Sequence, residues 1–95
     1  MSAAAGPPVV RNARIVNQRG LHARAAARFV QMAQKFDAQV EVVFDGQKVG
    51  ATSIMGLMML GAGQGTLIEI RASGRDAAHA ADALAKLVAH GFEDE

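Results

Sequence analysis

Apolar side chains recur with two different periods along this chain. Val9, Val10, Ile15 and Val16 open it as a β-branched run interrupted by Arg11, Asn12 and Arg14, which predicts a first strand over residues 9–16. Residues 17–21 then read as a turn. From Ala23 the period lengthens. Ala26, Phe29, Val30, Ala33 and Phe36 fall on one stripe, and Arg24, Arg28, Gln31 and Lys35 on another. This predicts an amphipathic helix of about three to four turns. Val40, Val42 and Phe44, set against Glu41 and Asp45, return to the strand period, and Asp45-Gly46 is a hairpin signal that sends residues 47–50 back antiparallel.

Ser53 is a good N-cap for the short apolar segment ending at Leu60, which Gly56 keeps short. Gly61, Gly63 and Gly65 make a loop. Residues 66–71 form a strand with Ile68 and Ile70 inward, and Ser73-Gly74 turns the chain. Asp76 is placed to cap a last helix that buries Ala77, Ala80, Ala81, Leu84, Leu87 and Val88, with Gly91 as its stop. The order is β-α-β-β-α-β-α. Each helical stripe is one-sided, so the helices cover one sheet face and leave the other to solvent. The expected fold is α+β, a two-layer open-faced β-sandwich with a four-stranded antiparallel sheet and three helices on one face. Residues 1–8 are expected as a disordered tail, 9–92 as a single domain, and 93–95 as an acidic tail.

At 95 residues there is room for one domain. There is no Cys, which excludes disulfides and thiolate metal sites and suits a reducing compartment. No apolar run approaches the roughly 20 residues of a membrane span, and the first ten residues lack a signal-peptide pattern. A cytoplasmic protein with no membrane partner is expected.

The net charge of +1 conceals an asymmetry. Residues 1–36 hold Arg11, Arg14, Arg19, Arg24, Arg28 and Lys35 with no acid, and all 9 acids lie from Asp37 onward. The basic half suits a phosphate or an acidic partner. Nucleic acid is disfavoured, because Trp and Tyr are absent and the four Phe are scattered.

His22 sits at the start of the first helix, in Gly20-Leu21-His22-Ala23-Arg24. A helix start carries unpaired N–H groups and partial positive charge, and this one offers no Ser, Asp or Glu to take them. The amides of Ala23, Arg24 and Ala25 therefore form a candidate anion site, with Arg24 and Arg28 as added donors. A neutral imidazole there can attack a phosphoryl group and hold it against waiting amides. A plain surface cap is the competing reading of His22. His79 and His90 belong to the last helix, and no metal-ligand spacing links them to His22. The glycine-rich 61–65 stretch precedes a strand, so it is not a phosphate-binding loop. Of Ile54, Met55, Met58 and Met59, one or two are expected to stay exposed as an adaptable docking patch.

The Gly20–Arg24 motif, with the segment from Ala51 to Leu60 followed by Gly65-Thr66, resembles the HPr family, the histidine-containing phosphocarriers of the phosphoenolpyruvate-dependent phosphotransferase system. The resemblance runs from about Val9 to Phe92. It implies that His22 accepts a phosphoryl group on Nδ1 from Enzyme I and passes it to a histidine of an EIIA-type protein. It makes Arg24 the phosphate-stabilising residue, and Ile54, Met55, Met58 and Arg28 the docking surface. Ser53 becomes a regulatory site for a serine kinase/phosphorylase. The protein would be a monomeric carrier rather than an enzyme, with no cofactor and no metal. Leu57-Met58-Met59-Leu60 and the acidic ending look more like the nitrogen-related, NPr-like branch than the sugar-transport branch. Ala25 stands where the family usually has Pro. Two other classes compete: a regulatory binding module of the same fold, and a small acyl-phosphate hydrolase. The hydrolase would need a water-positioning Asn near the Arg, and only Asn12 and Asn17 are available in the first half.

Overall fold

The computed structural model describes residues 7–93. The element order is β1 (Val9–Arg14), α1 (Ala23–Ala33), β2 (Gln39–Phe44), β3 (Gln47–Gly50), α2 (Ile54–Met59), β4 (Leu67–Ser73) and α3 (Ala77–Ala89), then a 3-10 turn over Gly91–Glu93. Most of the expected N-terminal tail, residues 1–6, and Asp94 and Glu95 lie outside the described residues.

The strands form one sheet in the order β1-β4-β2-β3, antiparallel throughout. β2 and β3 are the hairpin that Asp45-Gly46 announces; both turn residues have positive φ, 52° and 79°. β4 lies between β1 and β2, which places Val10, Arg71 and Glu41 in one row across the sheet. Alternation does the rest. Ile68, Ile70 and Ala72 of β4, and Val40 and Val42 of β2, are buried under the helices.

The helices approach the sheet closely because their inner faces are built largely from alanine. Ala25, Ala26, Ala80 and Ala81 are fully buried, with Phe29, Leu84 and Val88 filling the gaps between them. Phe29, Phe92, Ile15, Leu57, Ile68 and Ile70 are among the largest sealed side chains. Each stabilises the fold by about 1.5–3 kcal/mol relative to an exposed position.

Three local features differ from the pattern-based expectation. The first strand ends at Arg14, although Ile15 still exchanges backbone hydrogen bonds with the 65–66 segment, donating to Thr66 O at 2.9 Å and accepting from Gly65 N at 2.7 Å. Asp76 precedes α3 but makes no side-chain cap there. Its Oδ2 accepts instead from Asp37 N at 2.8 Å, and its own N–H donates to Asp37 O at 2.9 Å. The carboxylate is used to tie the end of the first helical segment to the start of the last. Finally, Gly91 stops α3 with φ 67°, but the chain then folds back. Phe92 is sealed in the core with φ 57°, and Arg28 Nη1 donates to the carbonyls of Phe92 and Glu93. The backbone of Glu93 is thereby held to the domain. Among the described residues, no helix is long and apolar enough to cross a membrane.

Candidate functional site

The loop before α1 is fixed by its own backbone and by a neighbour. Gly20 N donates to Asn17 O at 3.1 Å, and Asn17 Nδ2 donates to Gly20 O at 2.8 Å. Leu21 N reaches across to Ala62 O at 3.1 Å, and the Leu21 side chain is buried. Gly20 has φ 65°, and a Cβ there would lie 2.7 Å from Ala62 O and 2.9 Å from Gly63 Cα. Only glycine fits on both counts.

His22 follows as the N-cap of α1, with extended φ and ψ of −80° and −177°. Its Nδ1 accepts from Arg24 N at 3.3 Å, and its carbonyl accepts from Ala26 N at 2.8 Å. The imidazole itself thus does the work that Ser or Asp does in most helices. The bond is long, so Nδ1 exchanges it easily for another partner. The ring is half-buried, Ala23 and Arg24 are exposed, and Ala25 is sealed beneath them. No acidic side chain stands in the first turn. The result is an imidazole nitrogen aimed at an open, positively polarised helix start, with a guanidinium two residues away in sequence.

The glycine-rich 61–65 loop supports this arrangement, a role that its sequence does not announce. Besides taking Leu21 N–H on Ala62, it donates Gly65 N–H to Ile15 O and offers Gly65 O to Arg14 Nη1 at 2.8 Å. Gln64 Nε2 donates to Val16 O at 3.0 Å. Thr66 closes the loop on Gly63 O, by backbone and by Oγ1. The loop leads into β4, not a helix, as expected. Its one forecast in the sequence is Gly20, whose positive φ and missing Cβ let the two loops touch.

Gly20→Ala tests that contact. Positive φ alone costs about 1–2 kcal/mol for an L-residue, and the clash adds to it. Gly46→Ala is the control, with φ 79° but nothing within 4 Å of the added Cβ. Urea unfolding should show Gly20→Ala losing about 2 kcal/mol or more, clearly beyond Gly46→Ala. Equal losses would mean that the loops are not in tight contact.

α2 displays more apolar surface than its sequence suggests. Ile54, Met55, Met58 and Met59 are all exposed, at 39%, 67%, 38% and 76%, where one or two were expected. A six-residue helix has only one inward position per turn, and Leu57 fills it, with Leu60 sealing the exit. Ser53 caps α2 as expected, Oγ accepting from Gly56 N at 2.9 Å, and it is exposed. Arg28 has a structural role that its sequence does not show. It shares a helix face with Arg24, and its guanidinium donates to the Phe92 and Glu93 carbonyls, clamping the C-terminal end. Asn17 is spent on the Gly20 carbonyl, and Asn12 stands on β1 opposite Glu69. Among the described residues no cluster of His and carboxylates could hold a metal ion.

A family model for the PTS HPr component phosphorylation site matches residues 9–90. The chain belongs to the HPr family. It is 45% identical over 82 residues to the phosphocarrier protein HPr of Cupriavidus necator, covering 86% of this chain and 92% of that one. The phosphocarrier protein NPr of Shewanella violacea is 40% identical over 84 residues, covering 88% and 92%. Among solved structures, HPr-C-His from Thermoanaerobacter tengcongensis superposes with a TM-score of 0.85 at 45% identity, covering 92% of this chain and 98% of that one. The open-faced four-stranded architecture is therefore the HPr fold, as the resemblance implied.

Proposed function

We propose that this HPr-family chain is a phosphocarrier whose His22 Nδ1 accepts a phosphoryl group from phospho-Enzyme I and passes it to a histidine of an EIIA-type protein. The observation that carries this reading is the N-cap geometry. Nδ1 accepts a hydrogen bond from Arg24 N–H, so its lone pair faces the first-turn amides. Transfer needs no cofactor. The Nδ1 lone pair attacks phosphorus as the donor's N–P bond breaks; the donor ring, protonated on its other nitrogen, leaves as neutral imidazole, and the His22 ring takes over the positive charge. The phosphoryl oxygens then take the first-turn amides and the Arg24 guanidinium, which suit an anion better than they suit a neutral ring. The reverse steps deliver the group to the acceptor.

The exposed Ile54, Met55, Met58 and Met59 surface is the docking site in this reading. Flexible thioethers repack against more than one partner, as a carrier serving a donor and an acceptor requires. The protein works as a cytoplasmic monomer, in sugar uptake or in nitrogen-related regulation. Incubation with Enzyme I and phosphoenolpyruvate, followed by intact-mass measurement, tests the proposal. A gain of one acid-labile phosphoryl group, handed on when an EIIA-type protein is added, is expected. A protein that binds Enzyme I with no mass gain is a regulatory module instead.

Ser53 fits control of the same docking surface by a serine kinase/phosphorylase. A phosphate on Oγ would place about two negative charges beside Ile54 and Met55 at a helix start that tolerates them. Partners that favour the basic half of the chain would be repelled. Ser53→Asp should stay folded and accept phosphate several-fold more slowly at low salt, with part of the loss recovered as salt screens the charge. Ser53→Ala should transfer at the wild-type rate and lose only the cap, about 1 kcal/mol. Equal transfer rates for the two variants across a salt series would leave Ser53 as a cap.

A further inference from the structure

Away from His22, α1 and α3 leave a groove of about 430 Å³ between them. Its apolar lining comes from Met32, Phe36, Ala83 and Leu87. Met32 is ten residues along from His22, about 15 Å at the helical rise, so the groove is separate from the phosphate-handling end of α1. The α3 positions that line it run from His79 to His90 through Asp82, Ala83, Lys86 and Leu87, at spacings of three and four. They form one continuous face of the helix, about 16 Å long. Ala80, Leu84 and Val88 face the core instead. The volume lies within the roughly 300–1,000 Å³ that small organic ligands occupy.

The charges along the groove favour an anion. Asp82 is paired with Arg11, its Oδ1 accepting from Nε at 2.8 Å in an exposed ion pair, so its carboxylate is offset by that guanidinium. Lys86 holds no carboxylate among the described residues. Lys35 is likewise without one, and it lines an adjoining recess that shares Met32, Leu87 and Glu93 with the groove. Two ammonium groups therefore flank the apolar lining, opposed by the carboxylate of Glu93. His79 and His90 add two exposed imidazoles on the same face of α3.

We propose that this groove binds a small amphipathic anion, an apolar chain ending in a carboxylate or a phosphate monoester. The chain lies on Met32, Phe36 and Leu87, and the head group pairs with Lys86. Ala83 is what leaves the space open, since its methyl occupies a position where a larger side chain would fill the groove.

Titration of the full-length protein, followed by two-dimensional amide NMR, tests this. The probes are decanoate and decyl phosphate, with decanol and inorganic phosphate as controls. Saturable shifts are expected at Met32, Ala83, Leu87 and His90 with either anionic amphiphile, and the tighter one identifies the head group. Decanol should bind about fivefold more weakly, near the upper end for an exposed charge pair, and Lys86→Gln should lose about the same factor. Glu93→Gln should tighten binding. Ala83→Leu should abolish the shifts in a protein whose thermal unfolding is unchanged. The proposal is overturned if decanol binds as well as decanoate, or if inorganic phosphate alone reproduces the shifts. Shifts centred on Met55 and Met59, or shifts that survive in a folded Ala83→Leu variant, overturn it equally.

Discussion

His22→Ala is expected to take up no phosphoryl group from Enzyme I and phosphoenolpyruvate while keeping its fold. The substitution removes the only imidazole at the start of α1. The other two, His79 and His90, are exposed on α3, on the face turned toward the α1–α3 groove. His79 is the third residue of α3 and His90 is its C-cap, so neither imidazole caps a helix start as His22 does. The structural loss is small. His22 supplies one cap hydrogen bond of 3.3 Å, at the weak end of its class, so its removal costs about 0.5 kcal/mol. The ring is half-buried and carries no part of the sealed core. Intact mass and a thermal melt on one sample separate the two effects. Full phosphate incorporation into the variant would sink the assignment, whereas a lowered melt alone would not rescue it. His79→Ala and His90→Ala should both accept phosphate at the wild-type rate.

The elements of the fold were legible because each one buries a single side. Ile68 and Ile70, or Ala26, Phe29 and Val30, repeat at the period of the structure they adopt. Strand order was not legible in the same way. β1 pairs with β4, 50 residues and more away in sequence, and no local pattern encodes such a pairing. Of the candidate site, Ser53 was readable as a cap because capping is a local matter of one side chain and the next turn, and His22 caps α1 in the way that its competing reading had it. The Arg28 clamp was not readable. Its helical phase puts it in line with Arg24, but the Phe92 and Glu93 carbonyls that claim it are 64 and 65 residues away. Asp76 failed as a cap for the same reason, since Asp37 N–H competes for its carboxylate. A polar side chain goes to the donor or acceptor that tertiary structure brings closest, and sequence spacing shows only its near neighbours.

Arg24→Ala should slow phosphoryl transfer by about two to three powers of ten, the range for removing one preorganised donor from developing phosphate charge. The side chain and the backbone of this residue do separate jobs. Its amide donates to His22 Nδ1 at 3.3 Å, and alanine keeps that amide. What is lost is the guanidinium, exposed at the second position of α1. Folding should not suffer, because alanine is the best helix former and the position is outside the core. Arg24→Lys separates charge from shape. Lysine keeps the positive charge but cannot offer two parallel donors to a phosphate, so it should recover only part of the rate. Added salt should slow the wild type more than Arg24→Ala, since only the wild type has that charge to screen. Rapid-quench kinetics for the three proteins, with phospho-Enzyme I as donor, would resolve this. Wild-type rates for Arg24→Ala would mean that the amides of Ala23, Arg24 and Ala25 are the whole of the anion site. The guanidinium would then have no part in the transfer, and the open helix start alone would have to hold the phosphoryl group.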